Sequence, residues 1–258
     1  MSLLLEMATA THPGMVRSHN EDFIDVDDQA GLAVLADGMG GYNAGEVASR
    51  MAVELVSSGI KAALAQRQTA DLDASGAHAL VSEHAACANT AIYEAAGSND
   101  AYSGMGTTLV IGLWFGASLA VAHVGDSRLY RIRGRVLEQL TRDHSLLEQQ
   151  IELGFITREE ARYSPNRNVV TRAIGIDPVV EPEVRTFPVS AGDRYLLCSD
   201  GLTDMLTDPE ILETLAAYED DVQEAAERLM QQANDSGGLD NISVIVVRVA
   251  PGQGSAGR

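Results

Sequence analysis

Lysine is almost missing from this sequence: Lys61 is the only one, and the other 17 basic residues are arginines. A phosphate-cradling Walker loop needs Gly-Lys-Ser/Thr, whereas Lys61 sits in Ile60-Lys61-Ala62, so that loop is absent. Kinase and Schiff-base chemistry each need a dedicated lysine, and Lys61 lies in an Ala-rich helical stretch, which argues against both. Cysteine is scarce as well. Cys87 and Cys198 are isolated, too few for a disulfide framework or a CxxC zinc knuckle, and suit core packing in a reducing cytoplasm.

Positive charge is outweighed, with 18 Lys and Arg against 37 Asp and Glu and a net charge of −19. A phosphate backbone repels such a surface, which excludes a nucleic-acid footprint. No secretory signal is present, because Met1-Ser2-Leu3-Leu4-Leu5-Glu6 lacks a basic region and a long apolar core. The longest uncharged run, Ala101 to Gly125, carries Thr107, Thr108, Ser118, His123 and several glycines. It reads as two strands, Thr107–Trp114 and Ser118–Val124, joined at Gly116, and not as a membrane span. No linker, repeat or low-complexity segment precedes the Gly-rich tail Pro251–Arg258. One domain over residues 1–250, followed by a flexible tail at 251–258, is therefore expected. The 258 residues, 45% hydrophobic and 21% charged, suffice for a sizeable core.

Further strands are expected at Asp22–Val26, Leu32–Ala36, Arg128–Ile132, Val136–Leu140, Tyr195–Cys198 and Ile242–Val249. Tight turns such as Arg133-Gly134 imply antiparallel pairing. Helices are expected at Ala44–Gln66, Ala77–Ala96, Leu146–Leu153, Pro209–Ala217 and Val222–Ala233. Val47, Met51 and Leu55 form one core stripe, and Val222, Ala226, Leu229 and Ala233 another. Asn43 with Glu46 has capping-box spacing, and Asp208-Pro209 reads as a cap followed by a first-turn proline. Helices covering hairpin-linked strands make an α+β layered domain.

The aspartates fall at the boundaries of apolar strands. Val34-Leu35-Ala36 runs into Asp37-Gly38, Ala120 to Gly125 into Asp126, and Tyr195 to Ser199 into Asp200-Gly201. Asp240-Asn241 precedes Ile242 to Val249, and Asn20-Glu21-Asp22 opens another strand. The glycines are expected to permit sharp turns at the sheet edge. One Asp-Gly marks a turn, but five acidic motifs at strand boundaries are a candidate cleft. Carboxylates so gathered would repel one another unless cations neutralised them, and hard oxygen ligands suit Mg²⁺ or Mn²⁺.

Arg17-Ser18-His19-Asn20-Glu21-Asp22, Asp37-Gly38-Met39-Gly40-Gly41, Gly104-Met105-Gly106-Thr107-Thr108, Gly125-Asp126-Ser127-Arg128, Ser199-Asp200-Gly201 and Asp240-Asn241-Ile242-Ser243 follow one another along most of the chain. This ordered series resembles the motifs of the metal-dependent protein phosphatases of the 2C type, in their bacterial branch. The resemblance implies a four-layer α-β-β-α sandwich, two antiparallel sheets flanked by helical pairs. It implies two Mn²⁺ or Mg²⁺ ions: Asp37 bridging both, the Gly38 carbonyl on one, Asp200 and Asp240 holding one, and Glu21 reaching the other through water. Asp126 would serve a third, weaker ion shared with Asp200. Asp22 would orient metal-bound waters, and Arg17 would grip the substrate phosphate with its planar fork of donors. The implied reaction is hydrolysis of phosphoserine and phosphothreonine by in-line attack of a metal-bridging water.

Two departures stand out. Met39 occupies a position where many relatives carry histidine, and Ser164-Pro165 precedes the segment Asn166 to Arg172 where His-Pro is common, so the leaving-group acid is unassigned. Leu146 to Gly175 resembles a mobile flap. No Cys-x5-Arg loop follows Cys198, which is expected to be a buried strand residue and not a nucleophile. Gly38 to Asn43 mimics a dinucleotide fingerprint but lacks its third glycine. His123 is expected in the core and His144 at a turn or cap. His12, His19, His78 and His84 lack ligand spacing. Arg128, Arg131, Arg133 and Arg135 form a row expected to meet paired acids. The chain is thus expected to be a cytoplasmic, monomeric phosphatase acting on phosphorylated Ser/Thr proteins, opposing a bacterial kinase of eukaryotic type, without membrane or nucleic-acid partners. The alternative is a catalytically weak phosphatase-like module that binds phosphoproteins.

Overall fold

The computed structural model describes residues 4–40, 44–66, 72–161, 164, 166 and 169–250. The capping residue Asn43, the remainder of the Gly-rich run at 41–43, Pro165, Arg167, Asn168 and the tail from 251 lie outside them.

Two antiparallel sheets carry the chain. One has the order β1 (Leu4–His12), β11 (Ile242–Ala250), β10 (Arg194–Cys198), β7 (Arg128–Arg133) and β8 (Val136–Gln139). The other runs β2 (Asp22–Asp27), β3 (Leu32–Met39), β5 (Leu109–Phe115), β6 (Ser118–Val124) and β9 (Glu183–Pro188), and the short β4 (Gly106–Thr107) pairs with the end of β3. Alternation along each strand separates three apolar layers. Ala33, Leu35, Val110, Leu119 and Val121 of the second sheet meet Leu129, Tyr195, Leu197, Ile245 and Val247 of the first between the sheets. On the outer side, Leu32, Val34, Ile111 and Leu113 face α1 (Ala44–Ala65) and α2 (Ala74–Ser98). Tyr130, Leu196, Val244 and Val246 of the first sheet face α6 (Asp208–Ala217) and α7 (Val222–Asp235). The expected α-β-β-α sandwich is the observed one.

Several local expectations shift. The buried face of α1 is Ala48, Ala52, Val56 and Ile60, while Leu55 is 40% exposed. Small alanines bring α1 close to its neighbours, and a Cβ on Gly59 would lie 2.4 Å from the His84 ring of α2. Asp73 caps α2 by accepting from the Gly76 N–H at 2.7 Å, so that helix begins before Ala77. Thr207, not Asp208, caps α6: its N–H donates to Glu210 Oε2 at 2.7 Å, which places Pro209 one residue deeper than expected. The β7–β8 turn consists of Gly134 and Arg135, since Arg133 pairs with Val136. Strands β1 and β9 were not foreseen. β1 buries Leu5, Ala8 and Ala10 with little apolar bulk, and β9 is a half-buried edge.

Candidate metal centre

The acidic motifs come from both sheets to one end of the sandwich. Asp22 opens β2 and lies directly opposite Asp37 of β3 in the antiparallel register, a placement in which like charges destabilise a sheet. Thr108 and its neighbour fix the Asp37 main chain. Thr108 Oγ1 accepts the Asp37 N–H at 3.0 Å, while Thr107 Oγ1 and the Thr108 N–H both donate to the Asp37 carbonyl at 2.8 Å. Ser199 Oγ donates to Asp22 Oδ2 at 2.8 Å and accepts the Ser243 N–H at 3.0 Å, stitching β2 to β10 and β11. Asp200 begins α5 (Asp200–Thr203) immediately after β10.

Asn241 makes a second stitch. Its Oδ1 accepts the Glu21 N–H at 2.7 Å and its Nδ2 donates to the carbonyls of Pro13 and His19 at 3.0 and 2.8 Å. One amide side chain therefore holds the 13–21 loop, with Arg17 and Glu21 on it, against the start of β11. Arg17 donates to Asp240 Oδ2 at 2.7 Å, with its side chain 52% exposed at the lip.

The glycines act differently from expectation. Gly38 lies within β3 without a left-handed φ, and a Cβ there would stand 2.1 Å from the Gly45 carbonyl. A Cβ on Gly201 would stand 2.0 Å from the Asn241 carbonyl. Both serve close backbone approach and not a turn. Left-handed backbone occurs instead at Gly125, at φ +106° just before Asp126, and at Gly14, at φ +82° against the Asp240 carbonyl.

Burial, with the neighbouring aspartates adding to it, pushes the Asp37 and Asp200 carboxyls well above the usual range. Burial chiefly raises Asp22 and Asp126, each to about 6, and Glu21 also moves up. The same mutual repulsion links Asp22, Asp37, Asp126, Asp200 and Asp240 electrostatically, five of the six carboxylates that the sequence singled out, while Glu21 feels Asp240 and Arg17 at the edge of the group. Asp22 Oδ1 is buried with no hydrogen-bond partner. An all-oxygen donor set, mutually repelling and with an orphaned carboxylate oxygen, fits a hard divalent cation. Asp204, which sequence reasoning missed, adds to the repulsion on Asp126 and Asp200. Its i,i+4 spacing from Asp200 was the available signal. A cleft of about 330 Å³ adjoins Asp126 and Asp200, lined also by Arg128, Asp143, Ser145, Ile151 and Met205.

Three of the four arginines in the expected solvated row meet acids, Arg128 on Asp143, Arg131 on Glu138 and Arg133 on Asp193, but Arg128 and Arg131 are largely buried and of the three only Arg133 is solvated. Cys198 is fully buried, and burial pushes its thiol up to about 12, which removes it as a nucleophile. Met39 ends β3 beside the cluster and offers no proton. Among the described residues, no helix is long and apolar enough to cross a membrane.

Two stacked antiparallel sheets with buried acids gathered at one end define a hydrolase-type domain built around metal ions. The chain belongs to the protein phosphatase 2C family, whose model matches residues 16–242. It is 39% identical over 241 residues to the serine/threonine phosphatase stp of Listeria monocytogenes, covering 92% of this chain and 93% of that one. It is 41% identical over 251 residues to the serine/threonine protein phosphatase PstP of Mycobacterium tuberculosis, covering 96% of this chain and 46% of PstP. A crystal structure of a PstP catalytic domain in complex with two manganese ions superposes with a TM-score of 0.85 at 36% identity, covering 97% of this chain and all of that one.

Proposed function

We propose that this chain is a Mn²⁺- or Mg²⁺-dependent serine/threonine phosphoprotein phosphatase in which Glu21, Asp37, the Gly38 carbonyl, Asp126, Asp200 and Asp240 hold the ions. The observation that carries the assignment is the buried, mutually repelling set Asp22, Asp37, Asp126 and Asp200, with Arg17 reaching the same cluster through Asp240. The names of the Listeria and mycobacterial relatives and the manganese bound by PstP support it. When bound, the ions supply an activated water and neutralise charge on the transferring phosphoryl group.

The chain's own residues do the rest. Arg17 lies at the lip, and its guanidinium swings from Asp240 onto the phosphate oxygens, where two N–H donors match two acceptors. Asp22 is held by Ser199 through one oxygen, and its second, unpartnered oxygen would accept a hydrogen bond from a water in the cluster and so orient it. The Thr107–Thr108 clamp keeps Asp37 from relaxing away from Asp22. Asn241 keeps Arg17 and Glu21 in register with Asp240 across the gap between the loop and β11. Preorganisation of this kind is what lets a phosphatase work mainly by positioning and charge. Phosphorylated Ser/Thr proteins are the substrates, a eukaryotic-type Ser/Thr kinase is the partner enzyme, and the cytoplasm is the compartment. The free thiols Cys87 and Cys198 support the compartment.

Phosphate release from a phosphothreonine peptide, with Mn²⁺ and with chelator, tests this. Turnover is expected only with metal, and Asp37→Ala or Asp200→Ala is expected to lower it at least about 100-fold, since such ions contribute several kcal/mol to the transition state. Turnover that survives either substitution refutes the enzyme. Phosphopeptide binding without any turnover would establish a binding module instead.

A further inference from the structure

A second group of titratable side chains lies behind the metal centre. The rings of His123 and His144 stack at 4.7 Å and 22°, and Glu183 Oε2 stands 3.8 Å from His144 Nε2. A transition-metal ion is the obvious occupant of such a trio, but the protons argue against it. His144 Nδ1 accepts the Gly125 N–H at 3.2 Å. The proton of the neutral ring is therefore on Nε2, the atom that faces Glu183, and Nε2 has no lone pair left for a metal. His144 is buried and its Nε2 has no hydrogen-bond partner, so the ring is held by its other nitrogen.

That other nitrogen holds Gly125. The His144 N–H donates to the Gly125 carbonyl at 2.9 Å while its ring accepts the Gly125 N–H, so one residue takes both polar groups of Gly125. On the opposite side a Cβ on Gly125 would lie 2.7 Å from the Thr108 side chain, which itself accepts the Asp37 N–H and bonds Ser127 Oγ at 2.8 Å. The left-handed Gly125 leads directly into the buried Asp126.

His144 also reaches forward. Its carbonyl accepts the Thr171 N–H at 2.7 Å, and Ser145 bridges Val170 and caps α3 (Leu146–Glu152) by accepting the Glu148 N–H at 3.2 Å. Asp143, just before it, takes the Arg128 fork, with Nε 3.0 Å from each carboxylate oxygen. The segment between Leu146 and Val170 thus leaves and returns through the residue that fixes the peptide ahead of Asp126.

We propose that His144 is a positioning residue: through Gly125 it sets the carboxylate of Asp126 for a cation held with Asp200, and it ties that carboxylate to the base of the 146–170 segment. This rests on the phosphatase reading of the acid cluster. Three substitutions separate an acceptor effect from bulk. His144→Asn places an oxygen near the Nδ1 position, His144→Gln places its polar atoms one bond further out, and His144→Leu fills the space without an acceptor.

In chelator, amide hydrogen exchange by NMR should show the Gly125 N–H exchanging at least about 10-fold faster in Leu and Gln than in Asn and wild type. Mn²⁺ titration followed by electron paramagnetic resonance should show about 10-fold weaker binding at the weakest site in Leu and Gln, with Asn close to wild type. In an Asp126→Asn background, His144→Gln should cause no further loss of Mn²⁺ affinity. The proposal is overturned if Asn, Gln and Leu all weaken Mn²⁺ binding equally, if Gln binds Mn²⁺ as wild type does, or if the Gln effect persists without Asp126. Should Leu fail to fold, the Asn and Gln pair decides alone. Wild-type protein that binds no Mn²⁺ overturns the phosphatase reading itself, and the exchange of Gly125 still reports the ring's hydrogen bond separately.

Discussion

Replacing Asp22 with asparagine should make the metal-free protein more stable at neutral pH. Burial lifts the Asp22 carboxyl from 3.8 to about 6 in the folded chain. The folded state therefore holds this proton more tightly than the unfolded one. Folding keeps that advantage near pH 4, loses it as the pH rises toward 6, and above 6 the carboxylate is ionised in both states, so the loss is complete. A difference of about two pKa units corresponds to about 3 kcal/mol at pH 7.5. For a domain of this size that is about 6–12 °C in melting temperature. Asparagine keeps an acceptor for the Ser199 hydroxyl that now reaches Asp22 Oδ2 at 2.8 Å, and it never ionises. Melting followed by circular dichroism in chelator should show Asp22→Asn above wild type at pH 7.5, with the gap closing toward pH 4.5. Saturating Mn²⁺ should shrink the gap, because bound cations stabilise the ionised cluster that the variant lacks. A variant that melts below wild type in chelator at pH 7.5, or a gap that does not change between pH 4.5 and 7.5, would refute the assignment of Asp22 as a buried, destabilising carboxylate.

Manganese at 100 times its dissociation constant should stabilise the fold by about 2.7 kcal/mol per site, seen as a higher melting temperature than in chelator; superimposable melting curves count against preformed sites. Gly38→Ala and Gly97→Ala should act with opposite sign in urea unfolding. The first puts a Cβ 2.1 Å from the Gly45 carbonyl and costs about 1–3 kcal/mol or more, whereas the second meets nothing within 4 Å on α2 and gains about 0.5–1 kcal/mol. Iodoacetamide at pH 8 should label Cys87, which is exposed on α2 and not in the core as the sequence suggested, and spare Cys198, whose thiol is pushed up to about 12. Cys198→Ala should keep phosphatase activity, and its loss would reopen a thiol mechanism.

The strand ends were legible because the chemistry there contradicts its surroundings. An aspartate beside Val34-Leu35-Ala36 or Tyr195-Leu196-Leu197 breaks an apolar run, and the structure accordingly brings Asp37 and Asp200 into one cluster. The residues that hold those carboxylates in place stand in the motif series, but what each of them holds was not legible. Asn241, Ser199 and Thr108 act through hydrogen bonds across sequence separations of 220, 177 and 71 residues, and no local pattern encodes such partners. On α1 the expected stripe is the margin of the buried face: Val47 and Met51 pack against the core and Leu55 is exposed, while the centre of the face is Ala48, Ala52 and Val56, alanines that a hydrophobicity count underweights among them. Its place after Asp143 predicts a turn or cap for His144, whereas its ring hydrogen-bonds Gly125, 19 residues away.

The same contrast explains where stability is given up in this fold. Asp22 and Asp37 face each other in a β ladder whose next two pairs, Phe23 with Ala36 and Ile24 with Leu35, are apolar. Random substitution at the acidic pair would favour almost any neutral residue, since like charges opposite one another and burial act in the same direction. The ladder tolerates the pair because the surrounding main chain is locked: the Thr107–Thr108 clamp holds Asp37, Ser199 holds Asp22, and two glycines let the backbones of Gly45 and Asn241 close over them. Each lock is neutral and none supplies a positive charge to the buried pair. Arg17 hydrogen-bonds Asp240 at the lip and not the buried pair. A site selected for stability alone would replace these acids with neutral residues or pair them, as Arg128 pairs with Asp143 nearby. Leaving the buried acids without a protein cation keeps the place open for a divalent one, and leaves Arg17 free to exchange Asp240 for phosphate once that ion is bound.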